Sequence, residues 1–204
     1  MNYSSLILPS EYMIVANTEC CEDSIIQLKQ YLKNTIGTFP SAYSVPHITF
    51  SAFSMQEKHQ DLIIQRLRHK LKQVSSFKVR LDGLSAWESS STIFIQTSQE
   101  ESLNLGSMIF QALYNRLVTE IHHSLKTKSG TAHVTVARGL SPENFEIAKA
   151  LLLPIPFKKE FTVKQITLLK RNVNAISWTE VCKIPLLAII PNNQNGSSQL
   201  PLFP

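Results

Sequence analysis

The chain has 204 residues, of which 43% are hydrophobic and 17% charged; that balance excludes a disordered polyelectrolyte and leaves room for a sizeable core in one unit with two lobes. A formal net charge of +5 favours an acidic partner such as nucleic acid, although it does not require one. The three cysteines, Cys20, Cys21 and Cys182, lack metal-site spacing and read as free thiols. With no leader-like start and no membrane-length apolar run, a cytoplasmic protein without a membrane partner is expected.

Residues 11–17 are an apolar run that predicts a first strand. From Glu22 to Asn34, Ile25, Leu28 and Leu32 recur at helical spacing, and Gly37 with Pro40 closes the helix. The loop 41–46 leads into a second strand, where Pro46 suits a beginning rather than a middle. A second helix is predicted from Glu57 to Val74, with Ile63 or Ile64, Leu67, Leu71 and Val74 on one face and Lys58, Arg66, Arg68, Lys70 and Lys72 on the other. Phe77 to Leu84 and Thr92 to Thr97 predict two strands with a turn at Ser89–Ser91. Ser98 and Glu101 fit a capping box that opens the longest helix, reaching about Leu125. Another strand starts at Thr131 or Ala132, and Ser141-Pro142 opens a helix towards Leu153. Strands are predicted over Phe161 to Lys170 and Ser177 to Ile184, joined by a hairpin loop at 172–175. The second half roughly repeats the first, which suggests two related lobes within a single domain over residues 1–190. Residues 191–204 are poor in apolar anchors and predict a flexible tail.

Two stretches stand out, His47-Ile48-Thr49-Phe50 and His133-Val134-Thr135-Val136. On a strand, residues two apart share a face, so each histidine would point with its threonine and each apolar pair the other way. Two such stretches can offer two imidazoles and two hydroxyls to one cleft. That equipment suits phosphodiester chemistry without a metal or other cofactor. A given histidine meets this pattern by chance roughly once in a hundred, so a pair among six histidines is unexpected at the level of a few in a thousand. His122-His123-Ser124 also has a hydroxyl two residues after a histidine, but it lies in the predicted long helix, where positions two apart do not share a face. The competing interpretation of His47 and His133 is that both are buried strand residues satisfied by backbone carbonyls.

These motifs, with the continuation Ala137-Arg138, resemble those of the two-histidine (2H) phosphoesterases, which include the bacterial RNA 2',3'-cyclic phosphodiesterases also called 2'-5' RNA ligases. The likeness in element order runs from about residue 11 to 186. It implies an α+β, bilobal, pseudo-twofold fold in which two antiparallel sheets face a central cleft, with helices outside and one motif from each lobe. Many members lead into the first motif with an arginine and an asparagine, whereas this chain has Tyr43-Ser44-Val45-Pro46.

The implied activity is hydrolysis of a 2',3'-cyclic phosphate on an RNA end or small nucleotide, with reversible 2'-5' ligation as its transesterification counterpart. One neutral and one protonated histidine can serve as base and acid because imidazole titrates near neutral pH. Thr49 and Thr135 can donate to the non-bridging oxygens. The family assignment makes His133 the base and His47 the acid. Phe53, on the same face as His47 under strict alternation, is a candidate for stacking on a base, with core packing as the alternative. Arg138 is a candidate phosphate contact, because Gly139 would let the strand bend, and Tyr43 a candidate lining residue. Trp87 reads only as core. A monomer that binds RNA or a nucleotide bearing a cyclic phosphate is expected. The alternatives are a noncatalytic RNA- or nucleotide-binding module using the same cleft, and a phosphoesterase for a cyclic phosphate metabolite unrelated to RNA.

Overall fold

The computed structural model describes residues 8–98, 106, 109 and 132–188. The predicted helix over 98–125, the His122-His123-Ser124 stretch and the predicted tail therefore lie outside the described residues, apart from Ser98, Gly106 and Ile109.

Eight strands form one antiparallel sheet. They are β1 (Ser10–Asn17), β2 (His47–Met55), β3 (Phe77–Trp87), β4 (Thr92–Thr97), β5 (His133–Ala137), β6 (Lys158–Val163), β7 (Gln165–Arg171) and β8 (Thr179–Pro185). Their spatial order is β6-β3-β4-β5-β2-β1-β7-β8. Each half of that order has four strands, and β5 meets β2 through the single pair Ile48 and Val134. The two sheets expected from sequence are thus two halves of one sheet, hinged where the motifs touch. A pseudo-twofold relation maps β2 on β5, β1 on β4, β7 on β3 and β8 on β6.

Helix α1 (Glu22–Ile36) buries Ile25, Leu28 and Leu32, as their spacing predicts, together with Lys29. It ends at Gly37, whose φ of 81° favours glycine and whose N–H bonds to the Lys33 carbonyl at 2.9 Å. Helix α2 (Gln60–Leu71) buries Ile63, Leu67 and Leu71 and leaves Arg68, His69 and Lys70 exposed. Helix α3 (Pro142–Leu152) starts as predicted, with the Ser141 hydroxyl accepting from the Asn144 N–H at 3.3 Å and proline at its first position. Burial of these stripes against the sheet joins both halves in one hydrophobic cluster that contains Ile48 and Val134. The three cysteines form no disulfide.

One predicted strand divides. Phe161 to Lys170 is continuous in sequence pattern, yet the chain changes halves at Lys164: β6 pairs with β3, and β7 pairs with β1 and β8. Residues on either side are equally good strand formers, so the pattern carries no mark of the crossing. The hairpin loop is present, with the Ala175 N–H bonded to the Asn172 carbonyl at 2.9 Å. No helix among the described residues is long and apolar enough to cross a membrane.

Candidate active site

The two motifs lie on the central strands. In β2 the burial alternates from half-buried His47 to buried Ile48, half-buried Thr49 and buried Phe50, and in β5 half-buried His133 and Thr135 alternate with buried Val134 and Val136. Because Ile48 pairs with Val134 in an antiparallel register, one step either way sets His47 across from Thr135 and His133 across from Thr49. By that register each imidazole lies on the side of the other motif's hydroxyl.

The register continues outward into two matching rows. Gln96 pairs with His133 and Val15 with Thr49, giving the order Gln96, His133, Thr49, Val15 across β4, β5, β2 and β1. Asn17 pairs with His47 and Phe94 with Thr135, giving Asn17, His47, Thr135, Phe94 in the opposite direction. Both rows read amide, imidazole, hydroxyl, apolar.

The supports repeat as well. The Thr18 hydroxyl donates to the Pro46 carbonyl at 3.4 Å and the Thr97 hydroxyl to the Ala132 carbonyl at 2.8 Å, so the carbonyl before each histidine is held by a threonine at the end of the neighbouring strand. His47 Nδ1 lies 2.7 Å from the Val45 carbonyl. A carbonyl only accepts, so this contact places a hydrogen on Nδ1. Thr49 Oγ1 lies 3.6 Å from Met13 Sδ. Around His133 stand two aromatic rings: Trp87 at 4.4 Å between centroids and 77° between planes, and Phe94 at 5.5 Å and 72°. Trp87 and Phe94 are themselves 4.1 Å apart. Packing by two rings restricts the rotation of the imidazole.

The loop ahead of His47 is anchored from beneath. Lys29, 2% exposed, donates to the Ser41 carbonyl at 3.0 Å, the Ser44 carbonyl at 2.7 Å and the Ser44 hydroxyl at 2.9 Å. Burial, reinforced by the positive charge of Arg138, brings its ammonium pKa down to about 8. The Ser41 hydroxyl ties the same loop to β5, donating to the Val136 carbonyl at 3.4 Å and accepting from the Arg138 N–H at 3.2 Å.

The structure gathers His47, Thr49, His133 and Thr135, and it removes Phe53 from their face. Val15 pairs with Thr49 and Ile14 with Ser51, so Phe50 is an extra residue and the alternation shifts there. Beyond this bulge Ser51, Phe53 and Met55 are buried, and Phe53, 4% exposed, stacks on Tyr12 at 5.7 Å. Phe53 is therefore a core residue and is not placed to stack on a base. Val136 is bulged at the matching point of β5, since Phe94 pairs with Thr135 and Ile93 with Ala137. Arg138 is exposed just past the end of β5. Tyr43 is 74% exposed in the lead-in loop, where Lys33 Nζ lies 4.6 Å from its ring centroid and hydrogen bonds to Lys33 and Thr38 hold its hydroxyl pKa below the usual value.

Trp87, Phe94, Asn17 and Gln96 are site neighbours that the motif pattern does not announce. A second repeat does: Ile14-Val15-Ala16-Asn17-Thr18 matches Ile93-Phe94-Ile95-Gln96-Thr97, and the two runs occupy equivalent places in the sheet. Among the described residues, no group of three or more His, Cys, Asp or Glu is placed to hold a metal ion.

A profile of the 2'-5' RNA ligase superfamily matches residues 27–175. No curated protein matches the sequence. Among solved structures, TT0787 of Thermus thermophilus superimposes with a TM-score of 0.70 at 16% identity, over 89% of this chain and 100% of that one. Escherichia coli LigT complexed with 3'-AMP gives a TM-score of 0.61 at 14% identity, over 88% and 99% of the two chains. LigT complexed with phosphate gives 0.60 at 14%, with 88% and 99% coverage. At these identities the likeness is one of fold.

Proposed function

The chain belongs to the 2'-5' RNA ligase superfamily, and on that footing we propose that it is a metal-independent phosphodiesterase that opens 2',3'-cyclic phosphates on RNA ends or small nucleotides. The observation that carries this reading is the antiparallel pairing of Ile48 with Val134, whose register sets His47 towards Thr135 and His133 towards Thr49. A phosphoryl group centred between those four side chains would meet an imidazole on each side and a hydroxyl donor beside each imidazole.

His133 takes a proton from water as the water oxygen bonds to phosphorus, and His47, protonated at Nε2, gives its proton to O3' as the P–O3' bond breaks, leaving a 2'-phosphate. The bond from His47 Nδ1 to the Val45 carbonyl orients that ring for the transfer. Thr49 and Thr135 donate to the non-bridging oxygens, where negative charge grows. With the same roles, an RNA 5'-hydroxyl in place of water would give up its proton to His133 and form a 2'-5' bond as the P–O3' bond breaks. Tyr43 and Arg138, both exposed, are assigned to the parts of the substrate outside the phosphoryl group. That E. coli LigT has been crystallised with 3'-AMP, ATP and NADP+ supports a nucleotide as the ligand class.

Incubation with a 2',3'-cyclic nucleotide tests the reading: a 2'-monophosphate should accumulate, with a bell-shaped dependence of rate on pH. The net charge of +5 favours one second reading, a noncatalytic module for RNA or nucleotides. Absence of turnover, combined with single-strand binding that weakens steeply with salt, would establish that second reading instead.

A further inference from the structure

Asn17 and Gln96 are the outer members of the two rows. Each faces a motif histidine across an antiparallel pair, Asn17 facing His47 and Gln96 facing His133. Paired residues project from the same face of a sheet, so each amide stands beside an imidazole on the side away from the threonine. Their surroundings make them unusual. Gln96 is the only exposed residue of β4, whose other five positions are buried, and Asn17 is the half-buried end of β1. Neither amide makes a side-chain hydrogen bond among the described residues. The residue after each is a threonine that clamps the carbonyl before the facing histidine, so backbone and amide are fixed together.

In an in-line displacement the entering and leaving oxygens lie on opposite sides of phosphorus, each against its own histidine. An amide just outside each histidine therefore stands at each end of that line. We infer that Gln96 and Asn17 are paired substrate-positioning residues, with Gln96 orienting the attacking water beside His133 and Asn17 holding the sugar of the leaving O3' beside His47. This rests on the cyclic phosphodiesterase reading and on His133 as its base. An amide fits either task because it offers both a donor and an acceptor, and a water or a ribose hydroxyl needs both. Gln96 is one methylene longer, which lets it reach past the His133 ring. Asn17 is short, leaving space for a sugar.

The test measures kcat and KM for a 2',3'-cyclic nucleotide, and equilibrium binding of the 2'-mononucleotide and of inorganic phosphate, in the wild type, Asn17→Ala and Gln96→Ala. The isosteric Asn17→Asp and Gln96→Glu separate loss of the amide from loss of shape. Gln96→Ala should lower kcat tenfold or more, with 2'-mononucleotide binding within twofold of wild type. Asn17→Ala should raise KM and weaken 2'-mononucleotide binding tenfold or more, while phosphate binding stays within twofold. A merely structural role would weaken phosphate binding along with the rest, and that result overturns the assignment. So do two variants indistinguishable from wild type, or effects exchanged between them. A wild-type protein that turns over no cyclic phosphate overturns the reading beneath it instead.

Discussion

Ile48 lies opposite Val134, and that pair joins β5 to β2 at the centre of the sheet. Both side chains are fully buried. Each is the second residue of its motif, so the local twofold passes through the point where the motifs cross. The crossing brings each histidine to the other half's threonine, and neither half alone contains a complete histidine–threonine site.

The hydroxyls are accordingly expected to act in the transition state. Thr49→Val and Thr135→Val keep shape and β-branching while removing the donor, and each should lower kcat about a hundredfold with little change in KM. Steady-state kinetics on a 2',3'-cyclic nucleotide checks this. A rise in KM at unchanged kcat would place the hydroxyls in ground-state binding only.

Trp87 is half-buried and packs on both His133 and Phe94. Trp87→Ala should cost about 2 kcal/mol in urea unfolding, below the usual range for a fully buried tryptophan because part of the ring is already exposed. It should also lower kcat more than Trp87→Phe, which retains a ring against the imidazole. Equal kcat in the two variants would mean that the ring contact does not hold His133 in place.

Phe53 should behave as a core residue. Phe53→Ala is expected to lose about 3–4 kcal/mol of stability, with KM for nucleotide unchanged at temperatures where the variant stays folded. Chemical denaturation and kinetics on the same sample separate the two effects.

Lys29, Cys21 and Tyr12, all buried, shape the alkaline stability profile. Lys29 is brought down to about 8 from 10.5, so between those values the unfolded chain holds more protons than the folded one, and stability rises with pH. Tyr12, whose hydroxyl donates to Gln60 Oε1 at 3.2 Å, is pushed up by burial, and then by Glu57, from 10 to about 12. Over that interval the folded chain keeps a proton that the unfolded chain loses, and stability falls with rising pH. Stability should therefore climb from about pH 8 to 9 through Lys29, and be opposed above pH 9 by Cys21, which burial pushes up from 9 to about 11, and above pH 10 by Tyr12. Lys29→Met should remove the climb. Denaturant midpoints measured every half pH unit give the answer.

The motifs were legible because His-x-Thr on a strand needs only a period of two, and the stripes of α1 and α2 because burial there follows a period of 3.6. What escaped depends on phase and partner choice. Strict alternation places Phe53 with His47, but one extra residue at Phe50 reverses the phase, and Phe50 looks like any strand phenylalanine. Lys164, where the chain changes halves, sits between two ordinary strand sequences. Trp87 reads as core because its weight comes from a histidine 46 positions away. The run ending in Asn17-Thr18 and its counterpart ending in Gln96-Thr97 were visible as letters, but their meaning depends on the strands beside them.

The role proposed for His47 and His133 is phosphoryl chemistry without a metal. The direct measurement is turnover of a 2',3'-cyclic nucleotide in excess EDTA by the wild type, His47→Ala and His133→Ala. Wild-type turnover should be undiminished and each variant should lose at least about a hundredfold, with phosphate binding retained in part. Turnover that disappears with EDTA, or that survives either substitution, would contradict that role.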